Sequence, residues 1–105
     1  MKKVVRDGKV AVLISRGFGA GWYTWNKDHE ELLFHPKLIE IVSDGDAEEI
    51  TSEWLEVELG LKDVYPSGKD GLTVEWVEEG MAFTVKEYDG KESLSIVGFP
   101  EYIIA

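Results

Sequence analysis

The sequence has no cysteine and only two histidines among its 105 residues. Without thiols, disulfides and thiolate metal sites are excluded, and the redox compartment stays undetermined. His29 and His35 lie six positions apart, a separation that matches none of the common metal-binding spacings. We therefore predict a protein with no metal ion and no cofactor.

Long hydrophobic runs are also missing. No apolar stretch approaches the length that a membrane-spanning helix needs, and the two apolar residues after Lys3 are too few for the core of a signal peptide. We therefore expect a cytoplasmic protein with no membrane partner.

Positive charge is scarce and unevenly distributed. The formal net charge is −10, yet residues 1–27 hold six Lys and Arg against one Asp, a balance of +5, which leaves −15 for the remainder. Eight acidic residues and no Lys or Arg lie between Glu40 and Glu58. Such a surface repels phosphates, so we predict no binding to nucleic acid.

Two interpretations of this acidic segment stay open. It is a solvated surface that keeps the protein soluble, or a row of carboxylates that mimics nucleic acid and docks on a basic host protein. Exposure of Trp54 and Leu55 within the row would favour docking, whereas burial of both would favour the solvated surface.

What the chain does contain is enough apolar material for a folded core. Apolar residues make up 44% of the sequence, with four Trp, four Tyr and four Phe, so the 30% of charged residues does not indicate disorder. At this length we expect residues 1–105 to form a single domain.

The first elements are predicted to be a β-hairpin and a buried strand. Asp7-Gly8 is a typical two-residue hairpin turn, and the five apolar residues from Val10 to Ile14 indicate a central strand covered on both faces. Helices are predicted from Pro36 to Gly45 and from Asp46 to Gly60. For the second, the pattern of Ile50, Trp54, Val57 and Leu61 favours a helix, and a strand at residues 54–59 is the alternative.

The last third of the chain alternates in hydrophobicity, as β-strands do. Strands are predicted at residues 72–76, 81–88 and 92–97, with a hairpin turn at Asp89-Gly90 and a short terminal strand at 99–104. The predicted class is α+β: a mostly antiparallel sheet, made of the N-terminal hairpin and a C-terminal meander, with the central helical segment packed on one face.

Residues 16–26, called here the glycine-aromatic loop, carry the main functional signal. Three glycines at alternate positions precede three large aromatic residues. The loop lacks the last glycine of a dinucleotide fingerprint, and no Gly-Lys pair in the chain is followed by the Ser or Thr of a P-loop. Glycine amides can still cradle an anion. The candidate ligand-binding residues are Arg16, Gly17, Gly19 and Gly21 for a phosphate, Trp22, Tyr23 and Trp25 for stacking on a base, and Asn26 for a base edge or ribose.

A purely structural interpretation of the same loop remains open. The glycines would let the chain cross the end of the sheet, while Phe18, Trp22 and Trp25 fill the core. For catalysis the signals are weak, because the chain has no nucleophile elbow and its carboxylates near turns, including Glu87, Asp89 and Glu92, are by default solvated. We therefore favour binding over turnover.

Three segments resemble a family of small uncharacterised phage proteins: VRDGKVAVL at residues 5–13, GFGAGWYTWN at 17–26 and EYDGKES at 87–93. The resemblance implies no catalytic residue. It implies a role in counter-defence, by covering a site on a host protein or by sequestering the cyclic or ADP-ribose nucleotides that bacterial immune systems use as signals. In that setting the compartment is the host-cell cytosol.

The leading hypothesis is a non-enzymatic protein, homo-oligomeric because of its high aromatic content, that sequesters a small nucleotide-like ligand at the glycine-aromatic loop. The alternative is an acidic inhibitor that docks on a basic host protein.

Overall fold

The computed structural model describes residues 2–96 and 102–105. Within these residues, three α-helices and six β-strands follow one another in an α+β arrangement, which confirms the predicted class. The elements are β1 (Val5–Arg6), β2 (Lys9–Ser15), α1 (Glu31–Phe34), α2 (Pro36–Ser43), α3 (Ser52–Leu59), β3 (Leu72–Glu78), β4 (Ala82–Tyr88), β5 (Lys91–Ser95) and β6 (Ile103–Ile104).

The strands divide between two antiparallel sheets, with the orders β1-β2-β3 and β5-β4-β6. The predicted meander is therefore not continuous, because β3 pairs with β2 along its whole length, from Lys9 opposite Glu78 to Ser15 opposite Leu72. The chain then turns at Gly80 (φ +85°) and enters the second sheet as β4. Both hairpins are as predicted, since Asp7-Gly8 and Asp89-Gly90 adopt the paired positive φ angles of a type I′ turn.

Strand β2 is the centre of the fold. All five residues from Val10 to Ile14 are fully buried. Ala11 and Leu13 face a cluster built mainly from the helical segment, whereas Val10, Val12 and Ile14 face the second sheet. The prediction of a strand covered on both faces is therefore confirmed, and this burial explains the lack of alternation in its sequence.

Helices α2 and α3 contribute to the cluster on one face of β2, as predicted for the helical segment, whereas α1 contributes Leu33 and Phe34 to the cluster on the other face. Pro36 occupies the first turn of α2, and the His35 side chain accepts a hydrogen bond from the Lys37 amide. The helical interpretation of residues 52–59 is correct. However, α3 begins at Ser52 with Thr51 as its N-cap, and only a short 3₁₀ turn, Ala47–Glu49, precedes it.

This break changes which residues are buried. The predicted stripe placed Val57 toward the core, but Val57 is 71% exposed and Leu55 is fully buried. Because Thr51 starts a new helix, residues before and after it do not share one helical phase.

The C-terminal prediction is described only in part. Strand β6 pairs with β4, with Ile103 opposite Phe83, whereas residues 99–101 of the predicted terminal strand and residue 97 of the predicted return strand lie outside the described residues. Among the described residues, no helix combines the length and apolarity needed to cross a membrane.

Candidate functional site

The glycine-aromatic loop is held in place by a buried carboxylate from β5. The side chain of Glu92 is fully buried and accepts four hydrogen bonds. The donors are the amides of Ser15 (2.8 Å), Trp22 (2.9 Å) and Thr24 (2.8 Å), together with the Thr24 hydroxyl (2.7 Å). Because charge-assisted bonds of this kind are stronger than neutral ones, the loop has a defined shape despite its glycines. Glu92 was expected to be solvated, and this expectation is wrong.

The glycines allow close backbone approaches around the loop. A Cβ atom on Gly71 would lie 2.5 Å from the amide nitrogen of Gly17, and one on Gly90 would overlap the backbone of Ala20. The Gly19 amide donates to the carbonyl of Asp89 at 2.6 Å, so it is not available to an anion. Crossing backbones therefore account for Gly71 and Gly90. Within the loop, Gly19 adopts a positive φ of +107° and a Cβ atom on Gly21 would overlap the Thr24 side chain, whereas Gly17 has no atom closer than 3.6 Å.

Arg16 lies at the start of the loop with a partner from its own chain. Its Nη1 atom donates to Glu75 Oε1 at 2.9 Å, and both side chains are partly exposed. Exposed pairs of this kind are worth only about 0–1 kcal/mol. Binding of a phosphate by Arg16, as predicted, would therefore require its guanidinium to leave the Glu75 carboxylate or to share it.

Trp22 and Tyr23 do not present free ring faces. Trp22 is fully buried, and its indole N–H donates to the Leu32 carbonyl at 2.9 Å. The predicted stacking of Trp22 on a ligand is therefore corrected: its ring is part of the core. Tyr23 is partly buried and packs against both core clusters.

Trp25 is different, because its side chain is 48% exposed. Its ring stacks on that of Tyr65, which is 62% exposed, with 6.1 Å between the ring centroids and 22° between the ring planes. Apolar rings at a surface cost free energy unless something covers them, so exposed aromatic pairs mark binding sites. This pair is the strongest ligand signal around the loop.

Asn26 fixes the backbone of Tyr65 beside the loop. Its Nδ2 donates to the carbonyls of Trp22 (2.9 Å) and Tyr65 (2.8 Å), and its Oδ1 accepts from the Tyr65 amide (2.9 Å). The side chain is nearly buried and both Nδ2 hydrogens are used, so its amide has no donor left for a base edge. The predicted recognition of a base edge or ribose by Asn26 is therefore corrected: Asn26 positions the backbone of Tyr65.

Two depressions lie beside the loop. The first, called the glycine depression, has a volume of about 390 Å³ and is lined by Ser15, Gly17, Phe18, Gly19, Ala20, Gly68, Asp70 and Gly71. The second, called the aromatic depression, has a volume of about 410 Å³ and is lined by Trp25, Asn26, Lys27, Asp28, His29, Lys62 and Asp63. Of the predicted site residues, Gly17 and Gly19 line the first depression, and Trp25 and Asn26 line the second. The lining of neither depression includes the other four, Arg16, Gly21, Trp22 and Tyr23.

The two depressions differ in charge. The ionisable side chain that lines the glycine depression is a carboxylate, Asp70, which disfavours an anion. The aromatic depression is lined beside Trp25 by two exposed lysines, Lys27 and Lys62, and by two exposed aspartates, Asp28 and Asp63. An anionic ligand with a flat ring therefore fits the second depression better than the first.

The acidic segment is a surface feature. All eight of its acidic residues are exposed. Leu55 is fully buried and Trp54 is partly buried against the first core cluster, which favours a solvated surface over a docking row. Val57 is the exception, an apolar side chain exposed among carboxylates. In residues 2–96 and 102–105, no group of three or more histidines and carboxylates is arranged to hold a metal ion.

Sequence reasoning missed three important residues, Glu92, Tyr65 and Lys62. The burial of Glu92 depends on donors from Ser15 of β2 and from Trp22 and Thr24 of the loop, which are far away in sequence, so it leaves no local signal. Tyr65 was detectable, because a large aromatic residue in a loop rich in turn formers is as unusual as Trp25. Lys62 was also detectable as a cation in the acidic part of the chain.

No family model, curated protein or solved structure matches the chain.

Proposed function

We propose that the protein binds a small nucleotide-like ligand in the aromatic depression and does not turn it over. The observation that carries this proposal is the exposed, stacked pair of Trp25 and Tyr65. A base stacks on such rings, and the lysines that line the depression together with Trp25, Lys27 and Lys62, attract a phosphate.

Binding without chemistry is supported by the lining of the depression. It includes no hydroxyl or thiol group that would act as a nucleophile, and the amide of Asn26 is already satisfied. The exposed carboxylates of Asp28 and Asp63 can accept hydrogen bonds from ribose hydroxyls or from a base amino group.

This proposal moves the phosphate away from Arg16. The sequence hypothesis placed it on Arg16 and the amides of Gly17, Gly19 and Gly21. Since Arg16 is paired with Glu75 and the Gly19 amide is bonded to Asp89, the lysines of the aromatic depression are the better cations.

The proposal includes the biological setting that the resemblance implies. The protein would be phage-encoded, act in the host cytoplasm and sequester a nucleotide that serves as an immune signal. It would also form homo-oligomers. Large apolar side chains exposed outside the aromatic depression support association, and they include Val5, Phe18, Val57, Trp76, Tyr88, Ile96, Tyr102 and Ile104. Light scattering on the protein as it elutes from a size-exclusion column measures its molar mass and so tests the oligomeric state.

Thermal unfolding of the purified protein with AMP, cyclic AMP or ADP-ribose tests the binding function. A ligand present at 100 times its Kd stabilises the folded state by about 2.7 kcal/mol, which raises the Tm by roughly 10–20 °C for a domain of this size. Mass spectrometry should recover the ligand chemically unchanged.

Three variants locate the site. Trp25→Ala should abolish the ligand-dependent rise in Tm. Phe18→Ala removes another exposed aromatic ring of the same loop, and Arg16→Ala removes the paired guanidinium, so both should preserve the rise. Loss of the rise in Arg16→Ala with its retention in Trp25→Ala would place the ligand at the glycine loop instead. If none of the nucleotides stabilises the wild-type protein, the proposed function is wrong.

Val57 favours a second candidate function, an acidic inhibitor that docks on a basic host protein. Its exposed side chain lies among eight exposed acidic residues. None of these eight forms an ion pair, because the single ion pair in the described part of the chain joins Arg16 and Glu75. This candidate predicts capture of a basic protein that weakens with salt and is lost in Val57→Ser but kept in Trp25→Ala. Capture that is indifferent to Val57 would contradict it.

A further inference from the structure

Strand β3 leaves one of its two edges unpaired. At its ends, the Arg16 amide donates to the Gly71 carbonyl and the Glu79 amide donates to the Gly8 carbonyl, so the odd-numbered residues of this segment turn their backbone groups toward β2. The backbone groups that point away from β2 therefore belong to Leu72, Val74, Trp76 and Glu78. Within residues 2–96 and 102–105, no strand pairs with this outer edge of β3.

The outer edge of β3 lacks most of the features that keep edge strands apart. The strand is seven residues long and pairs with β2 in a regular register without a bulge. Residues 72–78 include no Pro, no Lys and no positive φ angle. The edge strands β1 and β6 are only two residues long. The remaining protection of β3 is the charge of Glu75 and Glu78, which a partner strand has to avoid.

Apolar side chains are exposed next to this edge. Trp76 is 40% exposed and Ile96 is 46% exposed. Both line a depression of about 370 Å³ beside β3, together with Val77, Met81 and Leu94 among others. Exposed apolar side chains that adjoin unpaired backbone groups indicate a surface for association.

The side chains of β3 fit pairing with a second copy of the same strand in the register centred on Val74. In this antiparallel register, Leu72 lies opposite Trp76 of the partner subunit, and Thr73 lies opposite Glu75 of the partner subunit. Leu72, Val74 and Trp76 have outward-facing backbone groups, so they form the hydrogen-bonded pairs. A register centred on Glu75 would instead place two like charges directly opposite each other, which is destabilising.

We propose that the protein forms a homodimer in which β3 of one chain pairs with β3 of the other, antiparallel and centred on Val74. The two three-stranded sheets then become one six-stranded sheet, with the order β1-β2-β3-β3-β2-β1. This inference rests on the homo-oligomer of the proposed function and identifies its interface. It does not depend on the nature of the ligand.

Sedimentation equilibrium of the full chain and of two Thr73 variants tests the interface. The Thr73 side chain is exposed and donates only to the Gly71 carbonyl, so its replacement leaves the bonds between β3 and β2 intact. Thr73→Lys places a cation opposite Glu75 of the partner subunit and should strengthen the dimer, whereas Thr73→Glu places a like charge there and should weaken it. Because Arg16 already pairs with Glu75, the comparison between the two variants is the decisive measurement. Their dimer Kd values should differ by at least about fourfold.

Ser93 provides the matched control. It is exposed on β5, in the other sheet, and Ser93→Lys and Ser93→Glu make the same changes in net charge. Because exposed charges outside an interface are largely screened at physiological salt, the dimer Kd values of these two variants should agree within about twofold. Circular dichroism and thermal unfolding of all four variants check that the fold is intact.

Amide hydrogen exchange followed by NMR measures the backbone pairing directly. The amides of Leu72, Val74 and Trp76 should exchange slowly when the protein concentration is above the dimer Kd and quickly when it is below. The Glu78 amide also points away from β2 but lies outside the paired residues, so it should exchange quickly at both concentrations.

The outcomes separate this inference from the proposed function. If the chain is monomeric at every concentration, this inference and the homo-oligomer both fail, whereas nucleotide binding is judged by its own Tm assay. If the chain dimerises but the two Thr73 variants agree within about twofold, the β3 interface is refuted while the homo-oligomer stands. A larger difference between the Ser93 variants than between the Thr73 variants would place the interface at β5 instead.

Discussion

Replacing Glu92 with glutamine tests the central electrostatic contact of the structure. The change keeps the size of the side chain and removes its charge. In the wild type, one carboxylate oxygen accepts from the Trp22 amide and from both the amide and hydroxyl of Thr24, and the other accepts from the Ser15 amide. Glutamine has only one acceptor oxygen. When that oxygen serves the three donors from Trp22 and Thr24, its NH₂ group faces the Ser15 N–H, another donor.

The size of the expected loss in the free energy of unfolding follows from these contacts. A buried donor left without a partner costs about 1–3 kcal/mol. Each of the three remaining bonds also loses its charge assistance, worth about 1 kcal/mol apiece, since bonds to charged groups contribute about 1.5–3 kcal/mol and neutral bonds about 0.5–1.5 kcal/mol. The lower cost of burying a neutral amide offsets part of this loss. We expect a net loss of about 2–4 kcal/mol in the free energy of unfolding.

Urea unfolding followed by circular dichroism measures this loss. The midpoint should fall with little change in the m-value, and Tm should fall by roughly 10–30 °C. Glu79→Gln, which neutralises an exposed carboxylate, is the matched control and should change stability by no more than about 0.5 kcal/mol. If Glu92→Gln costs less than about 1 kcal/mol, the carboxylate does not hold the loop as argued.

Three further predictions concern single side chains. Burial, and then the charge of Lys37, lowers the pKa of His35 below its ordinary 6.5, while Glu31 opposes the shift. The histidine therefore takes up its proton at a higher pH in the unfolded chain than in the folded protein, and the free energy of unfolding falls as the pH drops below 6.5. His35→Asn keeps a capping acceptor and should flatten this part of the curve of unfolding free energy against pH; an unchanged curve would assign the slope to other groups. Asn26→Asp turns a carboxylate oxygen toward two carbonyl groups and should cost about 2–4 kcal/mol in urea unfolding, so a neutral result would show that these bonds contribute little. Gly71→Ala places a Cβ atom 2.5 Å from the Gly17 nitrogen and should lower Tm clearly. In Gly17→Ala the atom nearest to the new Cβ is 3.6 Å away, so Tm should be nearly unchanged. Equal Tm values for the two variants would contradict the close approach.

The fold was largely predictable because its signals are local. The run from Val10 to Ile14 indicated a doubly covered strand, and the two Asp-Gly pairs indicated hairpins, since these features depend on residues that are neighbours in sequence. The partner of β3 was not predictable in this way. An alternating strand pairs with either neighbour, and the choice between β2 and β4 depends on which surfaces the helices cover.

The candidate site was less predictable than the fold. Composition drew attention to the glycine-aromatic loop, but it gave the same weight to Trp22 and Trp25, which are three positions apart. Only tertiary packing distinguishes them: Trp22 lies beneath the helical segment with its N–H bonded to Leu32, and Trp25 lies at the surface beside Tyr65. The role of Glu92 was hidden for the same reason, since its backbone donors are 68–77 positions away in sequence.

These long separations also determine when the loop acquires its shape during synthesis. Residues 16–26 leave the ribosome early, but their anchoring carboxylate is added only after most of the chain has been made. A nascent chain that stops before residue 92 would contain both rings of Trp25 and Tyr65 without the contact that orders the segment between β2 and α1. The proposed ligand binding should therefore appear late in translation, together with the docking of the last hairpin, and not gradually as the chain emerges.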